Sequence, residues 1–154
     1  MKCAQEFFTW KKTDSSADKM IAYIDGASQG NPGPAGIGIV IKKSKDKEEK
    51  QVSKYIGTVT NNVAEYAALI WALQEAVYLG VETIKIYTDS QLLSRQLTGR
   101  YKVKSPNISV LYQLAVNLIN KIPNFEIEHI KREKNKAADK LATQAIKYSK
   151  SKIE

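Results

Sequence analysis

Apolar residues recur along this chain at two spacings, and each change of spacing marks a new element. KMIAYIDG, residues 19–26, is apolar on both alternating faces, the pattern of a strand covered on both sides. AGIGIVIKK (35–43) and QVSKYIGTVT (51–60) read as two further strands, joined by the polar hairpin tip SKDKEE. In NNVAEYAALIWALQEAVYLG (61–80) the spacing becomes helical. Tyr66, Leu69, Ile70, Leu73, Ala76 and Val77 form one stripe, Ala64, Ala68 and Trp71 lie on the neighbouring face, and Gly80 suits the C-cap. TIKIYTD (83–89) predicts a fourth strand ending on Asp89, and SQLLSRQLTG (90–99) a short helix stopped by Gly99. After the basic connector RYKVKS, Pro106 opens the helix PNISVLYQLAVNLINKI. NFEIEHI (124–130) predicts a fifth strand. KNKAADKLATQAIKY (134–148) predicts a last helix, with Ala138, Leu141, Ala142 and Ala145 on one face and fraying after Ile146.

Three strands in hairpins, followed by strands reached through helical crossovers, imply an α/β fold. The first three strands should pair antiparallel and the last two lie parallel, in one mixed sheet with helices on its faces. Residues 1–19 are weakly patterned and read as an extension, 20–149 as one domain, and 150–154 as a basic tail. A chain of 154 residues suits a single core. Twenty-four Lys and Arg against sixteen Asp and Glu leave a net charge of +8, which favours a polyanionic partner such as nucleic acid. Cys3 is the only cysteine, which excludes a disulfide framework and a cysteine-based zinc site. With no signal-peptide core and no apolar run of membrane-spanning length, a cytoplasmic monomer is expected.

Four carboxylates stand at element ends. Each has a local explanation: Asp25 as turn chemistry with the following GAS, Glu65 as a capping box with Asn62, Asp89 as an N-cap, and Asp139 as a partner of a helix dipole. Loops at the ends of sheet strands can also converge. Four converged carboxylates repel one another unless divalent cations hold them. Oxygen ligands of this kind suit Mg²⁺ or Mn²⁺, and two such ions can clamp both oxygens of a phosphodiester displacement.

The blocks IDGASQGNPGPAGIGIVI, TNNVAEYAALIWAL, IYTDSQLL and REKNKAADKLA resemble the four signature blocks of the type 1 ribonuclease H family, in the family's order, from about Met20 to Tyr148. The glycine-rich loop is neither a Walker loop nor a dinucleotide fingerprint, because a strand follows it. The resemblance implies an RNase H-like fold and an endonuclease that cuts the RNA strand of RNA–DNA hybrids, leaving 5′-phosphate and 3′-hydroxyl ends. It implies two Mg²⁺ ions per site, with Mn²⁺ as a substitute. Asp25 would bridge both ions, Glu65 and Asp89 would hold the ion near the leaving group, and Asp139 the ion that activates water. Glu65 would also meet a ribose 2′-hydroxyl, the group that separates RNA from DNA. Gly26, Asn31, Thr60, Asn61, Asn62, Ser90 and Gln91 match positions that touch substrate. The bare GASQGNPGPAG loop would let a nucleic-acid backbone come close.

Two features depart from the family. The KREKNKA loop lacks a catalytic histidine, and the only histidine, His129, falls in the fifth strand as a packed or edge residue. Arg132 and Lys134 are candidates to attract the product phosphate instead. The family's basic protrusion is also missing. Arg100, Lys102 and Lys104 of the short connector either touch DNA phosphates or form a solvated loop. Two alternatives stand beside the hybrid nuclease. One is a binding module without turnover, which the complete acidic set argues against. The other is a related DNA nuclease, against which the N-N-x-x-E block and the glycine-rich loop weigh.

Overall fold

The alternation read from KMIAYIDG belongs to the middle strand of a five-stranded sheet. The computed structural model describes residues 19–44 and 49–153. Its elements in chain order are β1 (Lys19–Ser28), β2 (Gly33–Lys43), β3 (Glu49–Val59), α1 (Asn61–Leu79), β4 (Thr83–Thr88), α2 (Gln91–Leu97), α3 (Pro106–Ile119), β5 (Asn124–His129), a 3-10 turn (Arg132–Lys134) and α4 (Lys136–Ile153). The sheet order is β3-β2-β1-β4-β5. β1, β2 and β3 pair antiparallel, while β4 runs parallel to β1 and β5 parallel to β4, as expected from hairpins followed by crossovers. Among the described residues no helix is long and apolar enough to cross a membrane.

Strand side chains alternate between faces, and the two faces of this sheet are covered differently. Met20, Ala22 and Ile24 of β1, Ile37, Ile39 and Ile41 of β2, and Ile84 and Ile86 of β4 are buried with Tyr66, Leu69 and Leu73 of α1 and Ile108 and Ala115 of α3. This is the main core. The stripe expected on α1 is rotated from its predicted position: Ala64, Ala68 and Ala72 are fully buried, whereas Ile70 and Val77 are only half-buried. Alanines face the sheet because the helix backbone lies close to it.

On the opposite face α4 presses its backbone onto β2. A Cβ at Gly38 would sit 2.0 Å from the Ala138 carbonyl oxygen, and one at Gly36 would sit 2.5 Å from that of Ala142. The predicted small-residue face of α4 is buried there at Ala138, Ala142 and Ala145. The helix does not fray after Ile146 but continues to Ile153, since no glycine or proline interrupts residues 147–153. The extension 1–18 and the centre of the SKDKEE tip, 45–48, lie outside the described residues.

Gly38→Ala is expected to destabilise the protein by about 1–3 kcal/mol or more, because overpacking has no flexible neighbour to absorb it. Urea unfolding checks this; an unchanged midpoint would mean that α4 is free to lift from β2.

Candidate active site

The C-terminal ends of the parallel pair β1 and β4 and the first turns of α1 and α4 meet at one end of the sheet. Asp25 of β1 pairs with Gly38, on the α4 face. Its neighbour Gly26 faces α1, where a Cβ would lie 2.2 Å from the Ala64 carbonyl carbon and 2.4 Å from the Glu65 nitrogen. Glycine at this position has an internal reason that the sequence did not show, the seating of α1. Gly33 is similar, with a Cβ position 2.0 Å from the Gln29 oxygen.

The seating of α1 decides what Glu65 does. Glu65 Oε1 accepts the Gly26 N–H at 2.7 Å. No capping box forms with Asn62. The N-cap is Thr60, whose Oγ1 accepts the Val63 N–H at 3.3 Å, and Asn31 Oδ1 accepts the Asn61 N–H at 3.0 Å. Asp89 is likewise not the cap of α2. Ser90 Oγ takes the Leu93 N–H at 3.1 Å, and the buried Thr88 Oγ1 takes the Ser90 N–H at 3.0 Å. Both local explanations are therefore satisfied by neighbouring residues, and the carboxylates remain available. Asp139 does sit in the first turn of α4, as the dipole reading requires.

Asp25, Glu65 and Asp89 each present an oxygen within 4.8 Å of the others. Asp139 joins them around a hollow of about 270 Å³ that Gly26, Ala27, Asn61, Ser90 and Arg132 also line. Asp25 and Glu65 are buried, at 5% and 3% exposure, and Asp89 and Asp139 half-buried. Burial above all, then the like charges of the adjacent Glu65 and Asp89, pushes the Asp25 carboxyl far above the usual carboxylate range. Burial also raises Glu65, against the lowering effect of the adjacent Asp25 carboxyl and of the Gly26 N–H. Glu65 Oε2 is buried with no hydrogen-bond partner among the described residues. A stranded carboxylate oxygen within an all-oxygen cluster fits a divalent cation, which would supply both the missing partner and the counter-charge. Asp25, Glu65 and Asp89 can hold such an ion.

The other predicted residues divide. Gly26, Asn61, Ser90 and Arg132 border the hollow, and Arg132 Nη2 lies 3.7 Å from Asp139 Oδ1. Thr60 and Asn31 brace the α1 entrance, Asn62 is half-buried beside it, and Gln91 is exposed at the start of α2. Arg100, Lys102 and Lys104 are exposed on the connector between α2 and α3 and do not line the hollow. Between them Tyr101 is held by Arg95, whose guanidinium stacks 5.0 Å from the ring centroid and hydrogen-bonds the hydroxyl. Lys134 lines a separate hollow of about 260 Å³ with Tyr23 and Lys42. His129 is exposed at the end of the edge strand β5. Sequence reasoning missed Asn135, which is 1% exposed and donates to the Ile24 carbonyl at 2.8 Å and to Asp89 Oδ2 at 3.3 Å. Its only local signal was an asparagine just ahead of a helix, which reads as a cap.

The raised carboxyls carry a pH signature. In the unfolded chain both acids titrate near about pH 4. Between that value and their raised folded values the native state binds more protons than the unfolded state, so stability falls as pH rises. In chelator, the melting temperature is therefore expected to drop from mildly acidic to mildly alkaline pH, and Asp25→Asn to flatten the drop and melt higher at the alkaline end. A wild-type melting temperature rising across that window in calorimetry contradicts this.

A family described as Reverse transcriptase-like matches residues 23–145. The bifunctional protein Rv2228c of Mycobacterium tuberculosis is 41% identical over 129 residues, which cover 83% of this chain and 35% of that protein. Its N-terminal RNase H domain, solved as a fusion with maltose-binding protein, has a TM-score of 0.79 at 40% identity over 83% of this chain and 98% of that one. Ribonuclease HI of Halobacterium salinarum is 40% identical over 125 residues, 81% of this chain and 63% of its own. LC11-RNase H1, isolated from compost and solved in complex with an RNA/DNA hybrid, has a TM-score of 0.76 at 41% identity over 84% and 98% of the two chains. The chain spans about a third of the length of the mycobacterial protein. The matched region takes in all four acid-bearing elements, and the chain belongs to the type 1 ribonuclease H family.

Proposed function

We propose that this chain is an endonuclease that hydrolyses the RNA strand of RNA–DNA hybrids and leaves 5′-phosphate and 3′-hydroxyl ends. One observation carries the reading: Asp25, Glu65, Asp89 and Asp139 converge on a single open hollow in which a Glu65 oxygen has no partner. The hybrid held by LC11-RNase H1 supports the substrate class. The cofactor proposed is Mg²⁺, two ions per site, with Mn²⁺ able to substitute. When bound, such ions supply charge to stabilise both the attacking and the leaving oxygen of the phosphodiester.

The chain's own residues hold and orient. Asp25 and Glu65, the two buried acids, with Asp89 and Asp139 beside them, would hold the cations. Glu65 keeps one oxygen on the Gly26 N–H and so presents the other in a fixed direction. Gly26, Asn61 and Ser90 line the hollow beside the acids, which supports them as contacts for a sugar–phosphate backbone. Asn31 and Thr60 hold the first turn of α1 in place for Asn61 and Asn62, with Gln91 beside Ser90. The net charge of +8 draws in a polyanion, and Arg100, Lys102 and Lys104 offer exposed cations for the DNA strand. The position of Arg132 beside Asp139 supports it as the cation that attracts the cleaved phosphate with a planar, permanently charged fork. Lys134, directed to the neighbouring hollow, is the weaker candidate. Residues 20–149 would form the catalytic domain. A monomer in the cytoplasm is the proposed setting, which the lone Cys3 suits.

Labelled RNA–DNA hybrid, single-stranded RNA, double-stranded RNA and duplex DNA, each with Mg²⁺ or Mn²⁺, test the reading on one gel. Cutting is expected in the RNA of the hybrid and should vanish in folded Asp25→Asn. Duplex DNA cut as readily as hybrid would instead support the DNA-nuclease alternative. For Arg132→Ala, the steady-state rate is expected to fall further than the single-turnover rate, with hybrid affinity little changed. Equal losses in both rates would move Arg132 from product release to the chemical step.

A further inference from the structure

Asn135 stands between the 3-10 turn and α4, and its side chain is 1% exposed. A buried amide normally uses both its hydrogens and its oxygen. Here the two hydrogens are spent on the site. One goes to the Ile24 carbonyl, immediately before Asp25, at 2.8 Å, and the other to Asp89 Oδ2 at 3.3 Å. The oxygen Oδ1 is stranded, without a partner among the described residues. The backbone carbonyl of Asn135 also accepts the Asp139 N–H at 3.1 Å. One residue therefore touches the segments that carry three of the four acids.

An aliphatic side chain would leave the Ile24 carbonyl without this donor, so one hydrogen of the amide has a purely structural use. The other has a use at Asp89. β1 and β4 run parallel, with Ile24 opposite Thr88, so Asp25 and Asp89 follow at the same level and their like charges push the strand ends apart. A neutral donor bonded to both sides opposes that separation and occupies one Asp89 oxygen, leaving Oδ1 for other partners.

We propose that Asn135 is a positioning residue, whose side-chain amide ties Asp89 to the end of β1 and so holds the acids at the spacing that a divalent cation needs. This rests on the reading of the cluster as a metal-dependent nuclease site. It adds a residue that touches neither substrate nor metal.

The test uses the full chain with Asn135→Ala, which deletes the donor, and Asn135→Leu, which fills the space without polar atoms or added charge. Melting temperature is followed against MgCl₂ with no nucleic acid present, and kcat and KM are measured on hybrid well below each variant's melting point. Loss of a bond that orients a ligand typically costs about 10–100-fold in metal affinity or activity. The Mg²⁺ concentration that half-saturates the melting shift is therefore expected to rise, and kcat to fall, by about 10-fold or more, with KM little changed. A lower melting temperature with an unaltered Mg²⁺ response and kcat would make Asn135 merely structural and overturn the proposal, as would failure of both variants to fold. If the wild type binds Mg²⁺ but does not cut hybrid, the nuclease reading falls, while the Mg²⁺ titration still decides the role of Asn135. A wild type whose melting ignores Mg²⁺ overturns both.

Discussion

The missing side chain at Gly26 sets the distance between α1 and the end of β1, and the acidic site depends on that distance. Any Cβ there would overlap the α1 backbone at Ala64 and Glu65. With glycine, the first turn of α1 comes within hydrogen-bonding reach of the strand, and Glu65 crosses to the Gly26 N–H beside Asp25. The buried alanines Ala64, Ala68 and Ala72 continue this close approach along the helix. A bulkier contact would lift α1 and carry Glu65 out of the cluster while leaving much of the core able to form.

That approach has an electrostatic cost which the fold does not relieve by itself. Asp25 and Glu65 are buried against each other, and Asp89 and Asp139 add like charge. Four acids with no cation paired deep among them are a poor design for stability. Among the described residues, the cation paired with the cluster is Arg132, which is exposed and lies 3.7 Å from Asp139, so it screens the rim and not the centre. Hydrogen bonds tie the rest of the sheet end together: Thr88 and Ser90 brace the turn after β4, Thr60 and Asn31 brace the entry to α1, and Asn135 bridges β1 to Asp89. Neutral hydrogen bonds hold the backbone in a place where the charges would push it apart.

The two faces of the sheet divide the work. α1 and α3 cover the large aliphatic core, which supplies most of the hydrophobic stabilisation. α4 lies on Gly36 and Gly38 of β2 through alanines, a contact of small residues that allows close placement. Its first turn brings Asp139 to the site and the residue before it brings Asn135. Small residues here serve geometry more than burial.

Local pattern was enough to place all five strands, the mixed pairing and the main helices, because strand alternation and helical spacing are written within a few neighbouring residues. The four acids were legible as a set because each ends a strand or opens a helix, and because the blocks around them resemble one family. What each acid does locally was not legible. Thr60 and Ser90 take the capping roles that Asn62 with Glu65 and Asp89 seemed to offer. Nothing within a local window shows that a carboxylate's partner is a strand N–H 39 residues away, or that Asn135 bonds a carbonyl 111 residues before it. The packing role of the glycines in β1 and β2 was hidden in the same way: their neighbours are helices distant in sequence, so the contact that demands glycine exists only once the chain has folded. Sequence by itself determined the elements, the acidic chemistry and the family. Tertiary structure decided the distances between the acids, since these depend on how closely two helices press on one sheet.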